Sequence, residues 1–161
     1  MPEAFPSNIR EARPGDEDSI ARLMAAPAAA GLILPRSPEE LTESIPCFLV
    51  ADAGGVLVGC VAWRDYGQGL FEVRSLVVHP NCMGHGLGSR LVTAAVERAR
   101  SQAAHSVFAL TYHPGLFERQ GFRIVDKEMF PQKVWADCIK CRKREHCDEI
   151  ALALDLAGTR N

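Results

Sequence analysis

The chain has 161 residues, of which 47% are hydrophobic, and a formal net charge of -2. That length closes one sizeable core without metals or disulfides, and the near-neutral balance gives no general attraction to nucleic-acid backbones or anionic membranes. Residues 1–10 lack a basic stretch followed by an apolar one, and the most apolar run, residues 25–34, is broken by Pro27 and too short to span a bilayer, so the reading is a cytoplasmic chain.

Residues 1–161 read as a single domain with no repeat or long linker, and with a cysteine-containing insertion at about 131–147. Ile9 to Ala12 is expected as a first strand. Pro14-Gly15-Asp16 opens a helix carrying Ile20, Leu23 and Met24 at helical spacing. Ser37-Pro38-Glu39-Glu40 has a capping-box pattern, which places Arg36 immediately before a fixed helix end.

Cys47 to Ala51 and Val56 to Trp63 read as a hairpin around Asp52-Ala53-Gly54-Gly55, and Gly67-Gln68-Gly69 turns into a third apolar run, Leu70 to Val78. From Gly86 to Arg100, Leu87, Leu91, Val92, Ala95 and Ala99 keep helical spacing, and Val107 to Leu110 returns to strand character. A strand, helix, strand crossover predicts one parallel pair. A short helix near Gly115 to Gln120, a strand at Phe122 to Val125 and a last strand at about Glu149 to Leu156 complete an α/β chain with a mixed sheet.

The segment Asn81-Cys82-Met83-Gly84-His85-Gly86-Leu87-Gly88-Ser89 joins a strand to a helix. Its small residues let backbone N–H groups converge at a positive helix end, a geometry that suits a pyrophosphate. It does not match the dinucleotide fingerprint, which needs glycine at Ser89, nor the Walker loop, which needs a lysine after its glycine. An ordinary glycine-rich turn with close helix packing is the competing reading.

Glu72 stands inside an otherwise apolar strand, where an unpaired carboxylate is costly. A desolvated carboxylate can take a proton from an amine. Equally, strand period two puts Glu72 and Arg74 on one face, where they can simply neutralise each other.

Ser75-Leu76-Val77-Val78-His79-Pro80 followed by Met83-Gly84-His85-Gly86-Leu87-Gly88 resembles the coenzyme A motif of the Gcn5-related N-acetyltransferase (GNAT) family. Phe117 through Gly121-Phe122 resembles that family's later motif. The resemblance implies a GNAT fold: α/β, a mixed and mostly antiparallel central sheet with a parallel splayed strand pair, flanked by helices. It also implies acetyl-CoA as cosubstrate, with its pyrophosphate on the backbone amides of Met83, Gly84, His85, Gly86, Leu87, Gly88 and Ser89. Val77 and Val78 would lie along the coenzyme, Val78 pairing with the pantetheine, and Phe117 would lie near it. Leu76 N–H would polarise the thioester carbonyl in an oxyanion-hole role, and the family often carries a catalytic Glu at the position of Glu72. The family usually has Arg or Gln where Met83 stands, and commonly a Tyr, the acid for the departing thiolate, where Phe117 stands.

A closer resemblance, covering nearly the whole chain, is to short bacterial N-acetylglutamate synthases. It is carried by Gly31-Leu32-Ile33-Leu34-Pro35-Arg36-Ser37, Glu72-Val73-Arg74-Ser75-Leu76, Phe108-Ala109-Leu110-Thr111-Tyr112 and Phe117-Glu118-Arg119-Gln120-Gly121-Phe122. It implies direct acetyl transfer to the α-amino group of L-glutamate, the first step of arginine biosynthesis. A dicarboxylate acceptor wants forked cationic donors, and Arg36 and Arg74, with Ser75, are the candidates; ordinary salt bridges are the alternative. Tyr112 and His113 follow a strand end and are candidates, by placement alone, to protonate the thiolate. Another amine acceptor, or a non-catalytic acetyl-CoA sensor, stays open, as does a homodimer.

Of the six cysteines, Cys47, Cys60 and Cys82 are scattered, while Cys138, Cys141 and Cys147 cluster. With His146 beside them they offer a zinc site, although His146 and Cys147 are adjacent and poorly spaced for one tetrahedral ion. Free or buried thiols and redox chemistry are the other readings. The basic run Lys140 to Arg144 is offset by Glu145, Asp148 and Glu149 and lacks an aromatic platform, so it reads as a solvated loop and no nucleic-acid partner is expected.

Overall fold

The structure, a computed structural model, describes residues 7–33, 35–126 and 149–156. The order is β1 (Asn8–Glu11), α1 (Glu17–Ala29), α2 (Pro38–Ser44), β2 (Phe48–Ala53), β3 (Val56–Asp65), β4 (Leu70–Val78), α3 (Leu87–Ser101), β5 (Ser106–Thr111), α4 (Pro114–Glu118), β6 (Arg123–Val125) and β7 (Ile150–Asp155). The strands form one sheet in the order β1-β2-β3-β4-β5-β7-β6. Among the described residues only β4 and β5 pair in parallel; every other neighbouring pair is antiparallel.

Local chemistry explains most of the boundaries. The β2–β3 turn has Gly54 and Gly55 both at positive φ, and Asp52 Oδ1 accepts from Gly55 N–H at 2.7 Å. Ser37 Oγ accepts from Glu40 N–H while Glu40 Oε1 accepts from Ser37 N–H, the reciprocal box that starts α2. Pro27 does not end α1, which runs on to Ala29. It sits in the last turns, where Leu32 N–H is free to bond the Pro27 carbonyl.

Helix α3 buries Leu87, Leu91, Val92, Ala95, Val96 and Ala99 on one face of the sheet. Its seat is set by Gly59 on β3, where an added Cβ would come within 3.0 Å of Leu91 Cδ1 and 3.2 Å of the Val77 carbonyl. On the opposite face, Ile20 and Met24 of α1 and Leu41 of α2 pack on Phe48, Val50, Cys60 and Val77. A third, smaller cluster around Phe108 and Ala151 lies toward β5 and β7.

Candidate active site

The parallel ladder between β4 and β5 is short. Leu70 pairs with Ser106, Phe71 with Val107 and Glu72 with Phe108, after which the two strands part. Glu72 is therefore the last residue of β4 paired with β5, at the apex of a splay. Beyond it, β4 continues to Val78 with its β5-facing edge carrying backbone donors and acceptors that none of the described strands covers, a slot suited to an extended amide-bearing arm.

A bulge shapes that edge. Val77 stands opposite Cys60 and Arg74 opposite Ala62, so Ser75 and Leu76 together face Val61. Ser75 adopts φ +55, the left-handed region, although it is not glycine. The extra residue shifts the strand's alternation: Phe71 and Val73 face α3, as do Leu76 and Val78 after the bulge, while Val77 turns to the α1 face. The sequence shows this phase break, with a polar Ser75 where strict alternation from Phe71 and Val73 calls for an apolar residue. Cys60 Sγ donates to the Ser75 carbonyl at 3.6 Å. Burial pushes that thiol up to about 12, so Cys60 stays protonated and serves as a donor, not a nucleophile.

At the open end of the splay, a 3₁₀ turn over Pro80–Cys82 leads into the glycine segment. Gly84 and Gly86 sit at φ +83 and +80, and a Cβ on either would meet nothing within 4 Å. Glycine is thus required there by backbone conformation, and the space before the turn is clear. Gly86 is the N-cap of α3 with no side-chain cap, and the first turn holds no acidic residue. The first amides of α3 are left for an anion by geometry. Met83 is 61% exposed, and its N–H already donates to the Pro80 carbonyl at 3.4 Å, so the available donors begin at Gly84. Gly88 packs close to α4, where a Cβ would lie 3.1 Å from Leu116 Cδ1.

The polar groups on the α1/α2 side complete the site. Glu72 is the only buried charged residue among those described, 1% exposed. Its Oε1 accepts from Arg74 Nη1 at 3.4 Å and from the Tyr66 hydroxyl at 3.1 Å. The anticipated Glu72–Arg74 pair is therefore formed, in the place where a base would also sit. Arg36 Nη2 donates to Ser75 Oγ at 3.1 Å and Nη1 to Ser44 Oγ at 3.3 Å, with the guanidinium 5.8 Å from the centroid of the Phe48 ring. Arg36, Arg74, Ser75 and Glu72 are thus gathered around the bulge. Tyr112 follows the end of β5, half-buried, and His113 is exposed just before α4. Phe117 is buried in T-shaped contact with Phe122, centroids 5.3 Å apart.

Tyr66, Ser44 and Phe48 belong to this neighbourhood and were not anticipated; an aromatic residue within the polar turn Asp65 to Gly69 was the one available signal. Cys138, Cys141 and Cys147, the candidate zinc ligands, lie outside the described residues, and among the described residues no cluster suits a metal.

Residues 19–122 match the family model described as the acetyltransferase (GNAT) family. The chain belongs to that family. A relative, an uncharacterized N-acetyltransferase of Chlorobaculum tepidum, is 40% identical over 148 residues, covering 92% of this chain and 96% of the relative. The amino-acid acetyltransferase of Mycobacterium tuberculosis is 33% identical over 125 residues, covering 73% of this chain and 69% of that protein. Among solved structures, N-acetylglutamate synthase from Neisseria gonorrhoeae, complexed with coenzyme A and N-acetyl-glutamate, superposes with a TM-score of 0.84 at 28% identity, covering 97% of this chain and 36% of that one. The chain likewise spans 30% of the amino-acid acetyltransferase of Neisseria meningitidis. The GNAT fold, with its parallel splayed pair, and membership of an acyltransferase family are thereby established. Among the described residues, no helix is long and apolar enough to cross a membrane.

Proposed function

We propose that this GNAT protein transfers the acetyl group of acetyl-CoA to the α-amino group of L-glutamate, the reaction that opens arginine biosynthesis. The observation that carries this reading is one juxtaposition: a buried carboxylate, Glu72, at the apex of the splay, and two arginines beside the bulge formed by Ser75 and Leu76. The amino-acid acetyltransferase relative supports an amino-acid acceptor, and the N-acetylglutamate synthase structure supports glutamate.

Each part has a physical role. The pyrophosphate rests on the amides from Gly84 to Ser89 at the positive end of α3. The pantetheine arm runs along the β4 edge past Val77 and Val78, which brings the thioester to Leu76. Arg36 and Arg74 hold the acceptor's carboxylates by forked, charge-assisted hydrogen bonds. Glu72 takes a proton from the α-ammonium through a water, because its carboxylate is covered. The freed nitrogen lone pair attacks the thioester carbon, and the carbonyl π electrons move onto oxygen, where Leu76 N–H stabilises them. Collapse restores C=O and breaks the C–S bond, and the nitrogen gives its second proton to solvent water to leave the neutral amide. The thiolate leaves and picks up a proton, with Tyr112 the proposed donor, since Phe117 carries no hydroxyl.

Thiol release from acetyl-CoA, measured across a panel of amino acids, polyamines and peptide N-termini, tests the assignment. Turnover greatest with L-glutamate is expected. Lysine or a polyamine ahead of glutamate contradicts the acceptor, and no turnover with any amine points to a coenzyme sensor.

A further inference from the structure

The Tyr66 hydroxyl donates to the same Glu72 oxygen that Arg74 engages. The tyrosine is fixed on more than one side. The Arg64 guanidinium lies 4.7 Å from its ring centroid, and the Phe108 ring lies at 5.8 Å with an interplanar angle of 36°. Its own N–H donates to the Leu70 carbonyl at 2.9 Å, and Asp65 Oδ1 accepts from Gly67 N–H at 2.7 Å in the same turn.

These holders are not scattered. Arg64 is the cross-strand partner of Glu72 on β3, and Phe108 is its partner on β5. Tyr66 therefore spans three strands at the last paired row before β4 and β5 separate. Arg74 reaches the Glu72 carboxylate at 3.4 Å with a long, flexible cation on the same strand. A phenol on a ring packed from two sides gives that carboxylate a shorter, directional donor anchored in a different element.

We propose that Tyr66 is a positioning residue for acetyl transfer: it orients the Glu72 carboxylate so that the proton of the acceptor ammonium has a fixed destination. The inference rests on the base role given to Glu72 above. Tyr66→Phe keeps the ring contacts with Arg64 and Phe108 and removes only the donor, so the fold is retained.

Steady-state kinetics on the wild type, Y66F, E72Q and the Y66F/E72Q double variant, with the best amine of the panel, test the idea. Y66F is expected to lower kcat on the order of 10-fold, the scale of a slightly misplaced proton acceptor, with KM for acetyl-CoA unchanged. In the E72Q background the same substitution should add nothing, because the group it orients no longer accepts a proton. Wild-type kcat in Y66F overturns the proposal. So does an equal loss from Y66F in both backgrounds, which assigns the hydroxyl to the fold instead. E72Q at wild-type kcat removes the base role, and the positioning role with it, and that arm separates the two failures.

Discussion

Arg36 Nη2 donates to Ser75 Oγ at 3.1 Å, tying the residue just before α2 to the bulge of β4, 39 positions later. Ser75 thus does two things at once: it adopts φ +55, and it presents a hydroxyl to the arginine assigned to the acceptor. The two can be separated. Ser75→Gly suits the left-handed backbone but lacks the hydroxyl, so it should fold within about 1 kcal/mol of the wild type while KM for the acceptor rises. Ser75→Val meets a conformation that β-branched residues resist, and should lose about 1–3 kcal/mol in denaturant unfolding. Equal stability of the two variants would remove the bulge argument.

The coenzyme end gives an independent prediction. Gly86 holds φ +80 at the start of α3 with open space around it. An alanine there meets no clash but pays about 1–2 kcal/mol for the left-handed conformation. Gly86→Ala should therefore lower stability by that amount and weaken coenzyme A binding in calorimetry, as the first amides of the helix turn away. Unchanged affinity would move the pyrophosphate elsewhere.

Acid should loosen the N-terminal strand first. Arg10 bonds Asp16 at 2.9 Å and Asp52 at 3.1 Å. The hydrogen bond from Arg10 holds the Asp16 carboxyl below its ordinary 3.8, and the Gly55 amide together with Arg10 does the same for Asp52. Both groups are depressed in the folded chain, so their contribution is complete above the ordinary carboxylate range and is lost as pH falls below about 3.8 through the folded values. Protection factors at β1, taken against the intrinsic exchange rate at each pH, should fall in that window, and Asp16→Asn should flatten the change. A β1 equally protected at pH 3 and pH 7 would contradict it.

Much of this was legible in the sequence because local chemistry decided it. The Ser37 box, the Gly54-Gly55 turn and the apolar spacing of α3 each specify their element alone. The pairing of Glu72 with Arg74 followed from strand period two. The bulge was harder to read: its sequence trace is one polar residue, Ser75, where the alternation changes phase, and the partner that exploits it, Arg36, is distant in sequence. Tyr66 was missed for a related reason, since its importance comes from where β3, β4 and β5 meet. The opposite case is Met83, whose amide is taken by Pro80 in a local turn that sequence spacing does not reveal.

In the proposed reaction, two arginines select an acidic amino acid as acceptor. The most direct measurement is the ratio of kcat/KM for L-glutamate over L-glutamine, which nearly match in shape and differ in side-chain charge. Forked charge-assisted bonds worth about 1.5–3 kcal/mol predict a preference for glutamate of roughly 10-fold or more. A ratio near one, or a preference for glutamine, would contradict the account.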